Sequence, residues 1–541
     1  MNNNNTPSDC HLIILTHGLV GTSEHFDYID ETLLNHLTLN HPDKHFKTFK
    51  TKSNEKFKTY DGIDLCGSRV ADEIIYETAR LQQYENLKVT EISIIGYSLG
   101  GLITRFAIGI LSYKKYFDSI TPVNFVTFCS PHVGVLTPGT TLSIKSFNKF
   151  VPYLLGNSGK QIFLKDSIKF DNTNISLLEL MANKNSIFFK GLQQFKYKSL
   201  YSNIRSDIRT SWWTSGISYI NPFEILDKNQ SVKIDDEGFI NFPNDSKFEL
   251  SFVENYGPVL LDVNKPIKFT GLIDYNIKSS SNSSTLNVNN DIEENKVKIF
   301  FQRKFKWLVL IFNTFIYIPM WVCWFLLMSM LQVSTSFIRV TKESAKLKDN
   351  FYIYQIIDQV TTTVSNTIPP LCSNPTTPVL EPCLSNTYVE ELTKLENEVH
   401  DQGDVFLDSV FDAVTAPKDL NKSIFNQPLQ GENILETSIN KICSIPIDDI
   451  ENWQKDYKVL GQTREEAFQY YQILKSFKMN MSPAQRTIVK NLNDLNWNKY
   501  PIYITKTNAT HAAAIYRHND KNFEEGKIVV EHFCEKVFKI N

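Results

Sequence analysis

Apolar residues in the first 220 positions follow two alternating patterns. Short, nearly unbroken runs occur at His11–Leu15, Glu91–Ile95, Val123–Phe128 and Ser199–Ile204. Between them lie longer stretches with apolar positions at helical spacing. Val70–Tyr84 places Ile74, Ile75 and Leu81 on one face, and Leu102–Leu111 is another such stretch. Short apolar strands alternating with amphipathic helices predict strand-helix-strand units around a mostly parallel sheet.

The pattern changes over 221–480. Ser279–Asn290 is rich in serine and asparagine, and Ile368–Leu384 contains five prolines, so both read as loops. Val389–Val414 and Arg464–Phe477 read as amphipathic helices. Between the two loops, Trp307–Ile338 carries no charge at all. The first pattern returns in the last 60 residues. Ser482-Pro483-Ala484-Gln485 has serine at an N-cap, proline at N1 and glutamine at N3, a strong helix start. Tyr500–Thr505 reads as a strand and Lys527–Phe538 as a helix covering it. The expected organisation is one discontinuous α/β domain, residues 8–220 and 481–541, interrupted by a 221–480 insert.

Composition narrows the picture without changing it. A chain of 541 residues exceeds one compact core, which suits an insert. Net charge is −3, with 56 basic and 59 acidic residues, and nothing points to a nucleic-acid partner. The eight cysteines show no Cys-x-x-Cys spacing, so reduced, packed thiols are expected and no metal site is implied. The N-terminus is polar, without the basic and apolar regions of a cleaved secretory signal.

Gly96-Tyr97-Ser98-Leu99-Gly100 lies between the run Ile92–Ile95 and the helical stretch from Leu102. Gly-x-Ser-x-Gly at a strand-to-helix turn is the nucleophile elbow of α/β-hydrolases. The turn holds the serine on strained backbone, so glycines are needed two residues either side. The helix N-terminus beyond it favours a developing oxyanion. A serine nucleophile needs a base, an orienting acid and oxyanion donors, with the acid and then the base following the serine in this fold. His132, His400, His511, His518 and His532 follow Ser98. His511, just after the last predicted strand, is the candidate base, with His518 next. Asp207, just past the run Leu200–Ile204, is the candidate acid, with Asp166 and Asp171 as alternatives. His17-Gly18-Leu19-Val20-Gly21 follows the first strand and supplies a candidate oxyanion N–H from Leu19, beside that of Leu99.

These stretches, with Tyr60-Asp61-Gly62-Ile63-Asp64 and Ser130-Pro131-His132-Val133-Gly134, resemble the fungal and plant serine esterase family of lipase-like α/β-hydrolases. The resemblance covers roughly the first 220 and last 60 residues. It implies that the family's catalytic serine falls on Ser98, its late aspartate on Asp207 and its late histidine, in a His-Ala-Ala context, on His511. The family pattern around the aspartate includes Val-Pro; here the chain reads Arg205-Ser206-Asp207-Ile208-Arg209. The family includes fungal lipid-droplet phospholipases and monoacylglycerol lipases.

The uncharged segment suggests the kind of ester. Trp307–Ile338 is long enough for one bilayer span and short of two, with Pro319 near its middle. Arg303, Lys304 and Lys306 precede it; Arg339, Lys342 and Lys346 follow it. Cations at both ends favour one cytosolic side, hence a membrane-associated hairpin. A single span and a buried helix pair compete with it. The expectation is a membrane- or lipid-droplet-associated serine lipase, facing the cytosol on a droplet or the endoplasmic reticulum. It would cleave glycerophospholipid acyl esters without a cofactor. A monoacylglycerol or neutral-lipid lipase and an inactive droplet-surface scaffold are the alternatives. Region 135–190 is the expected place of a lid. Oligomeric state is left open.

Overall fold

The computed structural model describes residues 7–139, 142–170, 173–207, 209–223, 239–241, 247–270, 329–343, 435–439 and 452–541, with isolated residues between these segments. Asp171, His400, Ser279–Asn290, Ile368–Leu384, Val389–Val414 and the greater part of Trp307–Ile338 lie outside the described residues.

Six strands form one parallel sheet. They are β1 (Ser8–Thr16), β2 (His45–Lys50), β3 (Leu87–Tyr97), β4 (Thr121–Phe128), β5 (Tyr197–Asn203) and β6 (Asn498–Ile502). Their order across the sheet is β2-β1-β3-β4-β5-β6, and every neighbouring pair is parallel. Strands β1, β3 and β4 are buried on both faces, which is why they read as near-continuous apolar runs. Strand β2 was not expected. Its sequence, His-Phe-Lys-Thr-Phe-Lys, alternates, and it lies at an edge with only Phe46 buried. The last strand comes from the chain's C-terminal part: Tyr500 registers against Tyr201 and Ile502 against Asn203. It begins two residues earlier than the apolar run suggests, because Lys499 lies buried in the strand with its ammonium donating to the Ile217 carbonyl at 2.8 Å.

Helices cover both sheet faces. On one side α2 (Ile63–Tyr84) and α3 (Leu99–Tyr113) pack against each other and the sheet. On the other, α1 (Asp27–Asn40) packs beside the C-terminal helix Glu524–His532. Helix α2 starts seven residues before the expected Val70, since Leu65 and Cys66 extend its buried stripe. The insert also joins this core near its ends: Leu261 N–H donates to the Pro501 carbonyl, and Leu474 and Phe477 are buried with the α2–α3 layer.

Region 135–190 holds α4 (Leu142–Leu154), α5 (Gly156–Ile162) and a short hairpin, Ile168–Phe170 with Thr173–Ile175. Among the described residues, no helix is long and apolar enough to cross a membrane. Residues 329–338, the end of the expected hairpin, belong to a helix whose described part, 329–343, rests on the α2 side of the domain. Arg339, expected as a cationic flank, pairs with the buried Asp61 carboxylate.

Candidate active site

Ser98 sits where β3 ends and α3 begins, with φ 54° and ψ −127°. A non-glycine residue in this conformation is strained, and the surrounding packing must hold it there. Its N–H donates to the Phe128 carbonyl at 2.8 Å, and its carbonyl accepts from Gly101. The flanking glycines have no room for a side chain. A Cβ at Gly96 would stand 2.6 Å from Gly101 Cα, and one at Gly100 would stand 2.1 Å from the Thr16 carbonyl oxygen.

The turn after β1 comes just as close. A Cβ at Gly18 would lie 2.6 Å from Ser98 Cβ, so only glycine lets this loop pass the serine. Val20 has φ 53°, and its N–H donates to Thr59 Oγ1 at 2.8 Å, which fixes the loop. Leu19 and Leu99 both line the cleft with Ser98. The Leu99 N–H, first in its helix, has no intrahelical acceptor.

Across the cleft, His511 opens the short helix Thr510–Ala513 beyond β6. Its Nδ1 lies 2.9 Å from Asp207 Oδ2 and 3.1 Å from Thr210 Oγ1. The other ring nitrogen is left for the cleft, where His511 and Ser98 are both lining residues. Tyr97, the variable residue of the elbow motif, donates its hydroxyl to the His511 carbonyl at 3.0 Å, with ring centroids 5.0 Å apart. The elbow thus helps hold His511 as well as presenting the serine.

Asp207 follows β5. Its carboxylate accepts from His511 Nδ1, Asn203 Nδ2 at 3.0 Å, Thr210 N at 3.0 Å and Thr210 Oγ1 at 2.9 Å. Burial alone would raise this carboxyl. The charge of His511, its hydrogen bond and those of Asn203 and Thr210 outweigh burial and hold it at about 2. The chain therefore brings Asp207 to His511 despite lacking the family's Val-Pro. The other candidates lie elsewhere. Asp166 accepts from Leu177 N at 2.7 Å, His518 accepts from Arg517 Nε at 3.0 Å, and His132 is buried against Thr127. His532 meets the Tyr201 hydroxyl.

Sequence reasoning missed Tyr97, Asn203 and Thr210. Tyr97 was in plain view within the motif, but its partner is 414 positions away. Cys129 was missed as well. Its Sγ and the ligand atoms of Asp207 and His511 lie within 4.8 Å of one another, the one grouping of the described residues that could hold a metal ion. Burial, then the nearby Asp207 charge, pushes the Cys129 thiol well above its usual range, so the thiolate needed for ligation is disfavoured. With His511 Nδ1 committed to Asp207, the donor set suits proton handling better than a metal.

The cleft walls are apolar near the serine, with Leu19, Pro131, Val135, Leu155, Ile162 and Phe163; Arg209 and Arg517 also line it. Leu155 and Ile162 come from the α4–α5 segment expected to hold a lid.

A parallel sheet in the order 2-1-3-4-5-6, a strained serine at the β3–α3 turn and a histidine–aspartate pair at the C-terminal strand ends define an α/β-hydrolase. Residues 6–217 match the family model described as "Putative serine esterase (DUF676)". Curated relatives include "Putative lipase ROG1" of Saccharomyces cerevisiae, 28% identical over 228 residues, which are 41% of this chain and 31% of the relative. "Putative lipase C4A8.10" of Schizosaccharomyces pombe is 24% identical over 234 residues, 41% of this chain and 28% of that one. The match thus spans about a third of these relatives' length. Among solved structures, the phospholipase PlaB from Legionella pneumophila is similar at 12% identity and a TM-score of 0.22, over 39% of this chain and 41% of that one. An extracellular α/β-hydrolase from a Paenibacillus species aligns with a TM-score of 0.21 at 16% identity, over 36% and 77%.

Proposed function

We propose that this protein is a serine lipase that hydrolyses acyl esters of glycerophospholipids at a membrane or lipid-droplet surface. The observation that carries the reading is the His511–Asp207 pair at 2.9 Å, opening with Ser98 onto one largely apolar cleft. In this mechanism His511 takes the Ser98 proton as Ser98 Oγ attacks the ester carbonyl. The oxyanion accepts from the Leu19 and Leu99 N–H groups. His511 then protonates the leaving alcohol, and water hydrolyses the acyl-enzyme with His511 again as base. Asp207, ionised throughout, holds the His511 tautomer and stabilises its imidazolium.

An apolar wall close to the serine suits an acyl chain, and the two cleft arginines suit a phosphate-bearing headgroup, since guanidinium binds phosphate in a bidentate manner. The cleft arginines favour a phospholipid over a neutral glyceride. The test is to incubate the purified protein and its Ser98→Ala variant with phospholipids, monoacylglycerols and triacylglycerols and to identify the products. Fatty acid released from phospholipids by the wild type alone supports the reading. Release from glycerides only would move the substrate class, and no release from any would leave the scaffold reading.

A further inference from the structure

Helix 329–343 is amphipathic in the inverted sense. The stripe facing the hydrolase is Ser329, Val333, Ser336 and Arg339, with Ser336 only 2% exposed. The opposite face presents Leu327, also helical, and Met330, Leu331, Phe337 and Ile338, all more than half exposed and Phe337 at 71%. A helix in water normally buries its apolar stripe and exposes its serines.

What holds the helix this way round is a polar clamp. Asp61, from the Tyr60-Asp61-Gly62-Ile63-Asp64 stretch, has no exposed side-chain surface. Its carboxylate accepts from Ser336 Oγ at 2.6 Å, Arg339 Nη2 at 2.8 Å and Arg69 Nη2 at 2.9 Å. Arg69 also pairs with Glu343 at 2.8 Å, and Arg339 donates to the Phe57 carbonyl. The turn carrying Asp61 bonds onward to the site. Thr59 Oγ1 accepts from Val20 N beside the oxyanion loop, and the Thr59 carbonyl accepts from Ser158 Oγ of α5.

Helix α4, joined to α5, carries a second outward apolar set: Leu142, Phe150 and Tyr153. Eight of the thirteen large apolar residues exposed among the described residues therefore lie on α4 or at the 327–343 helix. The charges on these helices and on α5 are mostly cationic. Lys149 lies over the Phe150 ring at 5.6 Å and Lys160 over the Tyr153 ring at 5.9 Å. Lys145 and Lys342 add to them, and Glu343, the acidic residue of these helices, is paired with Arg69.

Resting on the reading above, we infer that the outward faces of helix 329–343 and α4 form one docking surface for an anionic lipid layer. The Asp61 clamp fixes that surface to the cleft. Large apolar side chains beside lysines, on helices lying flat on a domain, are the chemistry of an interfacial membrane contact. The lipid layer is favoured over a protein partner because the surface is cationic and carries no unpaired acid. The function of the clamp is orientation: it turns the apolar face outward on the same turn that braces the oxyanion loop.

The test uses the full chain with phosphatidylcholine vesicles with and without phosphatidylserine. An environment-sensitive fluorophore on Phe337→Cys should shift to the blue on anionic vesicles. The same label on Leu39→Cys, on α1 across the sheet, should not. Both are read in a Ser98→Ala background, so the result does not depend on hydrolysis. No shift at position 337, or equal shifts at both, overturns the surface. In the active chain, the pair Phe337→Asp and Ile338→Asp should lower hydrolysis of vesicle phospholipid about tenfold and leave a soluble short-chain ester unaffected. Equal loss on both substrates, or a change from dimer to monomer in light scattering, would assign the face to folding or self-association instead. Arg339→Gln should reproduce the selective loss; unchanged vesicle hydrolysis would overturn the clamp.

Discussion

Asp207 and Asp61 are both carboxylates with almost no exposed side-chain surface, and their surroundings differ in kind. Asp207 is held by one imidazole, one amide, one hydroxyl and one backbone N–H, and only the imidazole is ionisable. Asp61 is held by two guanidinium groups and a hydroxyl. The first arrangement joins Asp207 to a single imidazole that lines the cleft with Ser98. The second has permanent charges on both sides and no proton to move. Burial of an acid therefore does not by itself mark chemistry; what marks it is a partner that can change protonation state in reach of a nucleophile.

The comparison breaks most sharply at the partners of Asp207. Ser98→Ala and His511→Ala should each cut ester turnover about 10⁴–10⁶-fold. A fluorophosphonate probe should label the wild type and not Ser98→Ala. Equal labelling would remove Ser98 as nucleophile, and turnover retained in His511→Ala would move the base to His518. Asp207→Asn keeps the shape and loses the charge that selects the His511 tautomer. Turnover should fall about 10³–10⁴-fold, the dominant effect, beside a smaller drop in melting temperature because the amide forgoes the hydrogen bonds that hold Asp207 at about 2.

Asp61→Asn should reverse that signature. It leaves two guanidinium groups beside a neutral amide, and breaking a buried pair this way costs about 3–5 kcal/mol. Thermal unfolding should show a clear drop. If Asp61→Asn lost activity on a soluble ester as completely as Asp207→Asn while keeping its melting temperature, the division of roles would be wrong.

Asp166 sharpens the comparison from a third direction. It receives one backbone N–H from Leu177, and its Oδ1 is buried with no partner among the described residues. Burial pushes its carboxyl up to about 6, above its ordinary 3.8. The unfolded chain ionises this group more easily than the folded one. Its contribution to stability is thus fully present below pH 3.8 and is lost as pH rises to about 6. Asp166→Asn should stabilise the protein by on the order of 1–2 kcal/mol at pH 7.5 and by almost nothing near pH 3, well below the ordinary 3.8, each against wild type at the same pH. Equal effects at both pH values would show that ionisation is not the cause.

The readable parts of the site share one property: their constraint is local. Ser98 is legible because a strained turn excludes side chains two residues away, and that exclusion is written within five positions. His511 and Asp207 were reached through chain order and position after a strand, which locate a residue without showing what it touches. Asn203 and Thr210 carry no motif and Tyr97 is only the variable position of one, since their contacts depend on β5, the β3 turn and the short helix Thr510–Ala513 converging. The apolar stretch was legible only in part. Its composition was visible, but Ser336 and Arg339 face Asp61 across 275 and 278 positions, and no local pattern encodes that meeting.

The sequence by itself determined the alternation that makes a parallel sheet and the glycine-flanked serine, because backbone sterics and apolar periodicity act over a few residues. Tertiary structure alone decided which histidine meets which aspartate, which strand completes the sheet, and which way helix 329–343 turns. Those outcomes depend on pairing buried charges and filling shared space between segments hundreds of residues apart, where the free energy belongs to the contact and to neither segment alone.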